Sequence, residues 1–301
     1  MKPHQVPPSL SVIIINWNTR QLLDQCLKSV SINLQNLDHE VIVVDNGSTD
    51  GSKDMVRNDF PEAILIENQE NAGFAKANNQ AIRVSQGEYI LLLNSDAFLT
   101  PNAIQKMITV MESDLSIGIA GARLIYPDGS SQISHGPLPT FWSEVGSLFG
   151  LDKLQKVKGS QREYEETGTV SGACMLIRKT LLDQIGLLDE AFFMFSEEVD
   201  LCNRCHKLGA KVVYVHSATV IHTHAGSTGL TVQRIMRLYK GKLLYFYKHS
   251  GPIVENRLKR MMLIASKIKG MIYRLLRVIS LGRIRKDEFW RAVSKELSGL
   301  P

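Results

Sequence analysis

The segment "EYILLLNSDAFLTP", residues 88–101, decides the fold of this chain. Its apolar run is continuous rather than alternating, which is typical of a central parallel strand that is buried on both faces. The run stops at Asn94, Ser95 and Asp96, so polar side chains follow directly where the strand ends. Pro101 comes next, and proline favours the first turn of a helix, where its missing N–H is not needed. The segment therefore predicts a strand, a polar loop and a helix.

Two earlier segments show the same pattern. "LSVIIINWN", residues 10–18, and "EVIVVDNGSTDGS", residues 40–52, each join a β-branched apolar run to polar residues, and helical patterns separate the strands. Strands that alternate with helices predict a doubly wound α/β sheet, which binds ligands at the carboxyl ends of its strands. The polar residues expected at that edge are Asn16, Asn18, Asp45, Asn94 and Asp96.

Charge divides the 301 residues into two parts. Residues 226–301 contain 17 Lys and Arg against 4 Asp and Glu, a net charge of +13, while the first 225 residues contain 18 against 26, a net charge of −8. An acidic body with a basic tail indicates that the two parts meet different partners. We therefore expect one domain over residues 1–230, which the family resemblance described below implies to be catalytic, and a basic, amphipathic, helical region over residues 231–301.

The segment "FMFSEEVDLCNRCH", residues 193–206, allows two interpretations. Its second half has the spacing of a c-type haem attachment site. However, Cys202 and Cys205 continue a three-residue apolar repeat along a helix, so we interpret both cysteines as buried. Covalent haem attachment also requires export, and the N-terminal residues do not resemble a secretory signal. Its first half places Glu197, Glu198 and Asp200 at the start of that helix. Acidic residues there either stabilise the helix dipole or, beside apolar side chains that raise a carboxyl pKa, supply a general base.

The remaining polar candidates each have a functional and a plain interpretation. Asp45 is suited to accept from a base N–H or a ribose hydroxyl, and a plain turn with a helix cap is its alternative. Asp96 is suited to a divalent cation, and a solvated loop carboxylate is its alternative. His222 and His224 follow a strand, and neutral imidazole binds transition metals and tolerates Mn²⁺, although a loop histidine is also common at surfaces.

Taken together, these segments resemble the family-2 inverting glycosyltransferases with the GT-A fold, especially their bacterial rhamnosyltransferase-like branch. The resemblance runs from about residue 10 to residue 248. Its segments occur in the family's order: "SVIIINWNT", "VIVVDNGSTDGS", "NAGFAKANNQAI", "GEYILLLNSDAFLTP", "VSGACMLIRK", "GLLDEAFFMFSEEVDLCNR" and "VIHTHAGST". The resemblance implies a GT-A type doubly wound mixed sheet, with a Rossmann-like nucleotide-binding half and an acceptor half, followed by a C-terminal helical basic extension.

The resemblance also implies binding roles at the matching positions. The nucleotide-sugar site it implies consists of Ile15, Asn16 and Asp45 for the base and ribose, and Asn71, Gly73, Asn78, Asn94 and Ser95 along the rest of the donor pocket. The acceptor side it implies consists of Gly172, Ala173 and Asp200.

Metal binding and catalysis are implied in the same way. Asp96 matches the last Asp of the family's metal-binding motif, and His222 or His224 matches a second ligand of Mg²⁺ or Mn²⁺. Glu198 lies where the family usually has the Asp that acts as general base, and Glu197 is close enough to serve instead. The mechanism implied is a single displacement with inversion at the anomeric carbon.

The function expected from this resemblance is sugar transfer from a nucleoside-diphosphate sugar to a glycan or lipid-linked glycan in bacterial cell-surface polysaccharide synthesis. The branch favours dTDP-rhamnose as the donor, and UDP-linked sugars remain open. Two alternatives are a nucleotidyltransferase of similar fold and a non-catalytic sugar-nucleotide-binding protein. The first should have a glycine-rich loop after its first strand, and "NWNTRQLL" has no glycine.

The basic tail predicts a membrane-surface contact. Residues 257–286 combine apolar residues at helical spacing with Lys and Arg, a pattern typical of an interfacial amphipathic helix. A helical cap on the catalytic domain and a homodimer contact are the alternatives, and nucleic acid is not expected as a partner because the body is acidic. No apolar run is long enough to span a membrane, so we expect a cytoplasmic protein, peripheral at the inner face of the cell membrane.

Overall fold

The computed structural model describes residues 9–151, 162–223, 231–279 and 286–300. These residues form two compact units. The first unit contains residues 9–138, 162–193 and 197–223, and the second contains residues 139–151, 194–196, 231–279 and 286–300. The predicted domain boundary at residues 230/231 stays a prediction.

The strands all belong to the first unit. They are β1 (Leu10–Asn16), β2 (His39–Asp45), β3 (Ile64–Glu67), β4 (Tyr89–Asn94), β5 (Ala97–Leu99), β6 (Ile117–Ile125), β7 (His135–Gly136), β8 (Tyr164–Glu166), β9 (Thr169–Val170), β10 (Cys174–Arg178) and β11 (Lys211–His222).

The helices are divided between the units. They are α1 (Arg20–Asn33), α2 (Ser52–Asp59), α3 (Phe74–Val84), α4 (Ala103–Ser113), α5 (Phe141–Leu148), α6 (Lys179–Ile185), α7 (Glu197–Leu208), α8 (Val232–Ser250), α9 (Pro252–Ile279) and α10 (Lys286–Ser298). Helix α5 and helices α8 to α10 lie in the second unit, and the others lie in the first.

A mixed sheet forms the centre of the first unit. Its strand order among the described residues is β3-β2-β1-β4-β10-β6-β11-β5, and β8 also pairs with β11. Strands β1 to β4 are parallel, and β10 runs antiparallel between β4 and β6. The chain winds outward from β1 on one side and returns to β4 on the other, which creates a ligand-binding crevice at the carboxyl ends of β1 and β4. The predicted doubly wound mixed sheet is confirmed.

Two hydrophobic cores cover the two faces of this sheet. Val12 and Ile14 of β1 pack with α1, α2 and α4, whereas Ile13 packs with α3, α6 and α7 on the other face. All three side chains are fully buried, and burial of one such side chain stabilises the fold by about 1.5–3 kcal/mol. The continuous apolar runs in the sequence therefore follow from helices on both faces of the sheet.

One local expectation was wrong. Helix α4 begins at Ala103 rather than Pro101, because Asn102 adopts a left-handed conformation with φ of 60°. Strand β11 is continuous up to His222, although its register against β6 shifts between Val215 and Thr219. A bulge of this kind accommodates extra residues in one strand without a turn.

The second unit is helical. Gly251, with φ of 83°, ends α8, and Pro252 begins α9, the usual placement of these two residue types. Leu258 and Met262 of α9 are fully buried, as is Leu297 of α10. The predicted helical extension is therefore confirmed. No helix within the described part of the chain combines the length and the apolar character needed to cross a bilayer.

Candidate active site

The centre of the candidate site is a carboxylate and an imidazole that one strand pairing brings together. Asp96 lies in the turn between β4 and β5, and β5 pairs with β11 so that Ala97 is opposite His222. The Oδ1 atom of Asp96 lies 3.3 Å from Nε2 of His222, and both side chains are buried. The backbone N–H of Thr223 donates to the carbonyl of Asp96 at 3.0 Å, which fixes the turn.

This pair fits two ligands of one divalent cation. Adjacent ligands of an octahedral ion with bonds of about 2.1 Å lie about 3 Å apart, close to the separation of Asp96 and His222. Among the described residues, no group of three His, Cys, Asp or Glu side chains could hold a metal ion. A cation at this pair would take its other ligands from phosphate oxygens and water, as Mg²⁺ commonly does. His224, the other predicted ligand, lies outside the described residues.

The second nitrogen of His222 has a partner that the sequence analysis missed. Nδ1 of His222 lies 3.0 Å from Oε1 of Gln132, and the Gln132 amide nitrogen donates to the backbone carbonyl of His222. Gln132 follows the turn at residues 126–129 that ends β6. Its one signal in the sequence is this position after the Pro-Asp-Gly turn, and that signal does not distinguish it from neighbouring Ser131.

The predicted nucleotide-binding residues after β1 and β2 form one hydrogen-bonded network. Asn16 donates from Nδ2 to Asp45 Oδ2 at 2.9 Å and to Ser48 Oγ at 3.1 Å, and the Ser48 N–H donates to Asp45 Oδ1 at 2.8 Å. Both oxygens of Asp45 therefore accept hydrogen bonds from the protein and shape the turn. Ile15 pairs with Asn94 across β1 and β4, which places the two strand ends side by side.

A chain of contacts joins this network to the carboxylate of the central pair. Thr19 Oγ1 lies 2.7 Å from Asn16 Oδ1 and 2.9 Å from Ser95 Oγ, next to Asp96. On the other side, the Asn94 N–H donates to the carbonyl of Ala173 at 3.0 Å. The end of β4 is thus flanked by the predicted nucleotide side and the predicted acceptor side.

The predicted donor-pocket loop before α3 has a conformation that requires glycine. Gly73 has φ of 87°, and a Cβ atom there would lie 2.6 Å from the carbonyl oxygen of Phe193. Asn71 Oδ1 accepts from the Gly73 N–H at 3.0 Å and holds the loop in place. Asn78 is 1% exposed, and its Oδ1 has no hydrogen-bond partner among the described residues. Because a buried acceptor without a partner is costly, this atom is a candidate contact for a ligand hydroxyl.

The two glutamates at the start of α7 differ in surroundings. Glu197 is 5% exposed, and its Oε2 has no hydrogen-bond partner within the described ranges. Burial first, and the negative charge of Glu198 second, raise the pKa of Glu197 well above its usual range. Glu198 lies against the predicted acceptor wall, since a Cβ atom on Gly172 would be 3.6 Å from Glu198 Cβ.

Asp200, one helical turn after Glu197, is ion-paired with an arginine of its own helix. Its carboxylate accepts from Arg204 Nε at 2.8 Å, and Arg204 also donates to the backbone carbonyls of Ile185 and Leu187. Residues two apart on a helix do not share a face, so Asp200 points away from the side that carries Glu198. This gives Asp200 a structural role, and its predicted acceptor-side role stays a prediction that this geometry does not support.

The cysteines of the same helix lie in the core. Cys202 and Cys205 are fully buried among the residues that α7 packs against the sheet. Burial raises the pKa of Cys205 to about 12. The predicted burial of both cysteines is confirmed, but Leu208, which continues the same repeat, is 47% exposed. Both thiols are in a protonated, unreactive setting.

Comparison with known proteins decides the family. The model of a family described as "Glycosyl transferase family 2" matches residues 11–186, more than half of the chain. The chain belongs to glycosyl transferase family 2. A similar protein is the N-acetylglucosaminyl-diphospho-decaprenol L-rhamnosyltransferase of Mycobacterium tuberculosis, 29% identical in an alignment of 243 positions that covers 73% of this chain and 78% of that protein. Another is the low-salt glycan biosynthesis hexosyltransferase Agl10 of Haloferax volcanii, 26% identical over 71% of this chain and 66% of that protein.

Solved structures show the same fold as this family-2 member. The mannosyltransferase PcManGT of Pyrobaculum calidifontis, solved with GDP-Man and Mn²⁺, aligns with a TM-score of 0.59 at 16% identity, over 98% of this chain and 86% of that one. GalNAc-T7, solved with UDP, GalNAc and Mn²⁺, aligns with a TM-score of 0.58 at 14% identity, over 79% of this chain and 47% of that one. The chain is therefore a glycosyltransferase with the GT-A fold, as its sequence predicts.

Proposed function

We propose that this glycosyltransferase moves a sugar, with inversion, from a nucleoside diphosphate to a hydroxyl group of a glycan or lipid-linked glycan, and that it requires Mg²⁺ or Mn²⁺. The observation that carries the proposal is the buried pair of Asp96 and His222 at the end of β4. Ala173 lies beside that strand end, and Glu198 lies against neighbouring Gly172. A cation site and a carboxylate therefore flank one strand end, as a displacement between donor and acceptor requires.

In this proposal Asp96 and His222 hold the cation. When bound, the ion supplies a Lewis acid that stabilises the negative charge of the leaving diphosphate, an effect of several kcal/mol. The two side chains are already held by the β5–β11 pairing and by Thr223, so little reorganisation is needed on binding. Preorganised charge of this kind is usually the largest contribution to catalysis.

Glu198 is the proposed general base. A base must be ionised to take a proton from the acceptor hydroxyl. Burial and the charge of Glu198 raise the pKa of Glu197 and so favour its neutral form, which makes Glu198 the better candidate for the ionised carboxylate of the two. Glu198 also lies beside Gly172, next to Ala173, on the proposed acceptor side.

The donor is proposed to lie across the loops after β1, β2 and β4. Ile15, Asn16 and Asp45 would line the base and ribose, with Asn94 and Ser95 beside the diphosphate. The sugar would face Asn71, Gly73 and Asn78, where the unpaired Asn78 Oδ1 can accept from a hydroxyl. The likeness to an L-rhamnosyltransferase favours dTDP-rhamnose, with UDP-linked sugars as the second choice.

A nucleotide-sugar panel tests the proposal. We expect the melting temperature to rise with dTDP-rhamnose or a UDP-sugar only when Mn²⁺ or Mg²⁺ is present, because a ligand that binds the folded state stabilises it by about 2.7 kcal/mol at 100 times its Kd. Differential scanning fluorimetry measures the shift, with EDTA as the control. A shift with nucleoside triphosphates alone would instead favour a nucleotidyltransferase. Metal-free binding of all donors would contradict the cation site.

The acceptor is proposed to be carried by a lipid. The mycobacterial relative is named for a diphospho-decaprenol acceptor, and helix α9 presents a surface suited to a bilayer. Large apolar side chains of α9 are exposed at helical spacing along one face, namely Ile264, Met271, Leu275 and Ile279. Lys267 and Arg274 lie beside this stripe, are exposed, and form no ion pair with a described residue. Apolar side chains next to cations match an anionic lipid surface, which supports the proposal that the enzyme works at the inner face of the membrane.

Vesicle binding tests this surface. Replacing both Lys267 and Arg274 with alanine is expected to weaken binding to anionic vesicles about 30-fold, because each cation contributes about 1 kcal/mol near such a surface. Sedimentation with phosphatidylglycerol vesicles measures the loss, and phosphatidylcholine vesicles should bind neither protein well. The matched control replaces Lys28 and Arg57, which are ion-paired in the first unit. A stable dimer that does not bind vesicles would contradict the membrane contact.

A further inference from the structure

Gln132 is held rigidly beside the central pair. Its backbone N–H donates to the carbonyl of Leu124 in β6 at 2.9 Å, and neighbouring Ser131 forms a bridge with Ile125. Its side chain is 5% exposed, so the amide has no access to bulk water that would offer it other partners. A buried amide on a fixed backbone is a suitable element for orienting a neighbouring ring.

Two hydrogen bonds define which way this amide faces. A backbone carbonyl oxygen only accepts, so the group that meets the carbonyl of His222 must be the amide nitrogen of Gln132. The amide oxygen therefore faces Nδ1 of His222, at 3.0 Å. Because that oxygen also only accepts, Nδ1 must carry a hydrogen.

The tautomer of His222 follows from this contact. A neutral imidazole carries one hydrogen, and the bond made by one ring nitrogen determines which nitrogen carries it. With the hydrogen on Nδ1, Nε2 has a lone pair, and this nitrogen lies 3.3 Å from Asp96 Oδ1. A cation between Nε2 of His222 and Oδ1 of Asp96 would stabilise this arrangement, in which a lone pair faces a carboxylate oxygen.

We propose that Gln132 is a positioning residue that holds His222 in its Nδ1–H tautomer and so directs Nε2 at the cation shared with Asp96; the cation itself rests on the proposed function. Loss of a hydrogen-bond partner behind a metal-binding imidazole typically costs 10- to 100-fold in metal affinity. Removal of the Gln132 amide should weaken the affinity for Mn²⁺ by this factor.

The experiment compares the metal-free protein and its Mn²⁺ complex. ¹⁵N-detected NMR at a pH where imidazole is neutral is expected to show the Nδ1–H tautomer of His222 in the wild-type protein. In Gln132→Leu the Nε2–H form should appear, and the Kd for Mn²⁺, measured by EPR titration, should rise 10- to 100-fold. Gln132→Glu keeps an acceptor for Nδ1–H, although it replaces the donor to the His222 carbonyl with an oxygen. It is expected to retain the Nδ1–H tautomer, which guards against a Leu variant that fails to fold.

The matched control is Gln105→Leu. Gln105 lies on α4, and its amide also donates to a backbone carbonyl, that of Asn33. This variant should change neither the tautomer nor the Mn²⁺ affinity. An Nε2–H tautomer in the wild-type protein, or an unchanged tautomer and Kd in Gln132→Leu, would overturn the proposal. An Nδ1–H tautomer in a protein that binds no Mn²⁺ would overturn the metal role while leaving the assignment of the tautomer in place.

Discussion

Replacing Asp96 with asparagine is expected to reduce sugar transfer at least about 10³-fold, because it removes the charged ligand of the proposed cation and leaves a weak amide oxygen. Several kcal/mol of Lewis-acid stabilisation depend on that cation, and each 1.36 kcal/mol corresponds to a factor of ten in rate. The substitution preserves side-chain shape, and the hydrogen bond from Thr223 goes to the backbone carbonyl, so the turn should remain intact. Transfer from a radiolabelled donor measures the rate, and calorimetry measures Mn²⁺-dependent binding of the nucleoside diphosphate.

The control for Asp96→Asn is Asp114→Asn. Asp114 is also a carboxylate of the first unit, but it is ion-paired with Lys211 at 2.8 Å and partly exposed. Its loss should leave transfer near the wild-type rate, because a partly exposed pair contributes only about 0–1 kcal/mol to stability. Wild-type turnover that still requires Mn²⁺ in Asp96→Asn would show that the cation is held elsewhere.

The part of the candidate site at the strand ends could be predicted because it follows from a local pattern in the sequence. A continuous apolar run that stops at a polar residue marks both a buried strand and its carboxyl end, and Asn16, Asp45 and Asn94 all lie where these runs stop. The order of strands and helices then determines which ends meet. His222 was recognisable for the same reason, since it is the last residue of β11.

Other parts depend on tertiary contacts that leave no local pattern. Gln132 acquires its role from the pairing that follows β6, and nothing in its own segment distinguishes it. Asp200 was grouped with Glu197 and Glu198 because all three begin one helix, but Arg204, one helical turn later, binds it. Sequence proximity on a helix gives candidates for an active site, whereas the face of the helix decides among them.

Replacing Glu198 with glutamine is the second large effect that we expect. Turnover should fall about 10²- to 10⁴-fold, the usual contribution of a general base, while the KM for the donor changes little. The reason is that glutamine has the same shape but no basic oxygen, and Glu198 lies beside Gly172 on the proposed acceptor side. Steady-state kinetics with separate variation of donor and acceptor distinguishes this loss from a defect in donor binding.

Glu197→Gln is the matched variant, and the same argument predicts the opposite result. Burial raises the pKa of Glu197, so glutamine imitates the neutral form that burial favours and should retain most of the turnover. The raised pKa also has a consequence for stability. The protonated form of Glu197 makes its full contribution to the free energy of unfolding below the ordinary Glu pKa of about 4.3. This contribution is lost as the pH rises through the higher pKa of the folded state. Glu197→Gln should therefore gain in melting temperature relative to the wild-type protein as the pH is raised. If Glu197→Gln is inactive and Glu198→Gln is active, Glu197 is the base. The negative charge of the two glutamates then lies on Glu197, the more deeply buried carboxylate.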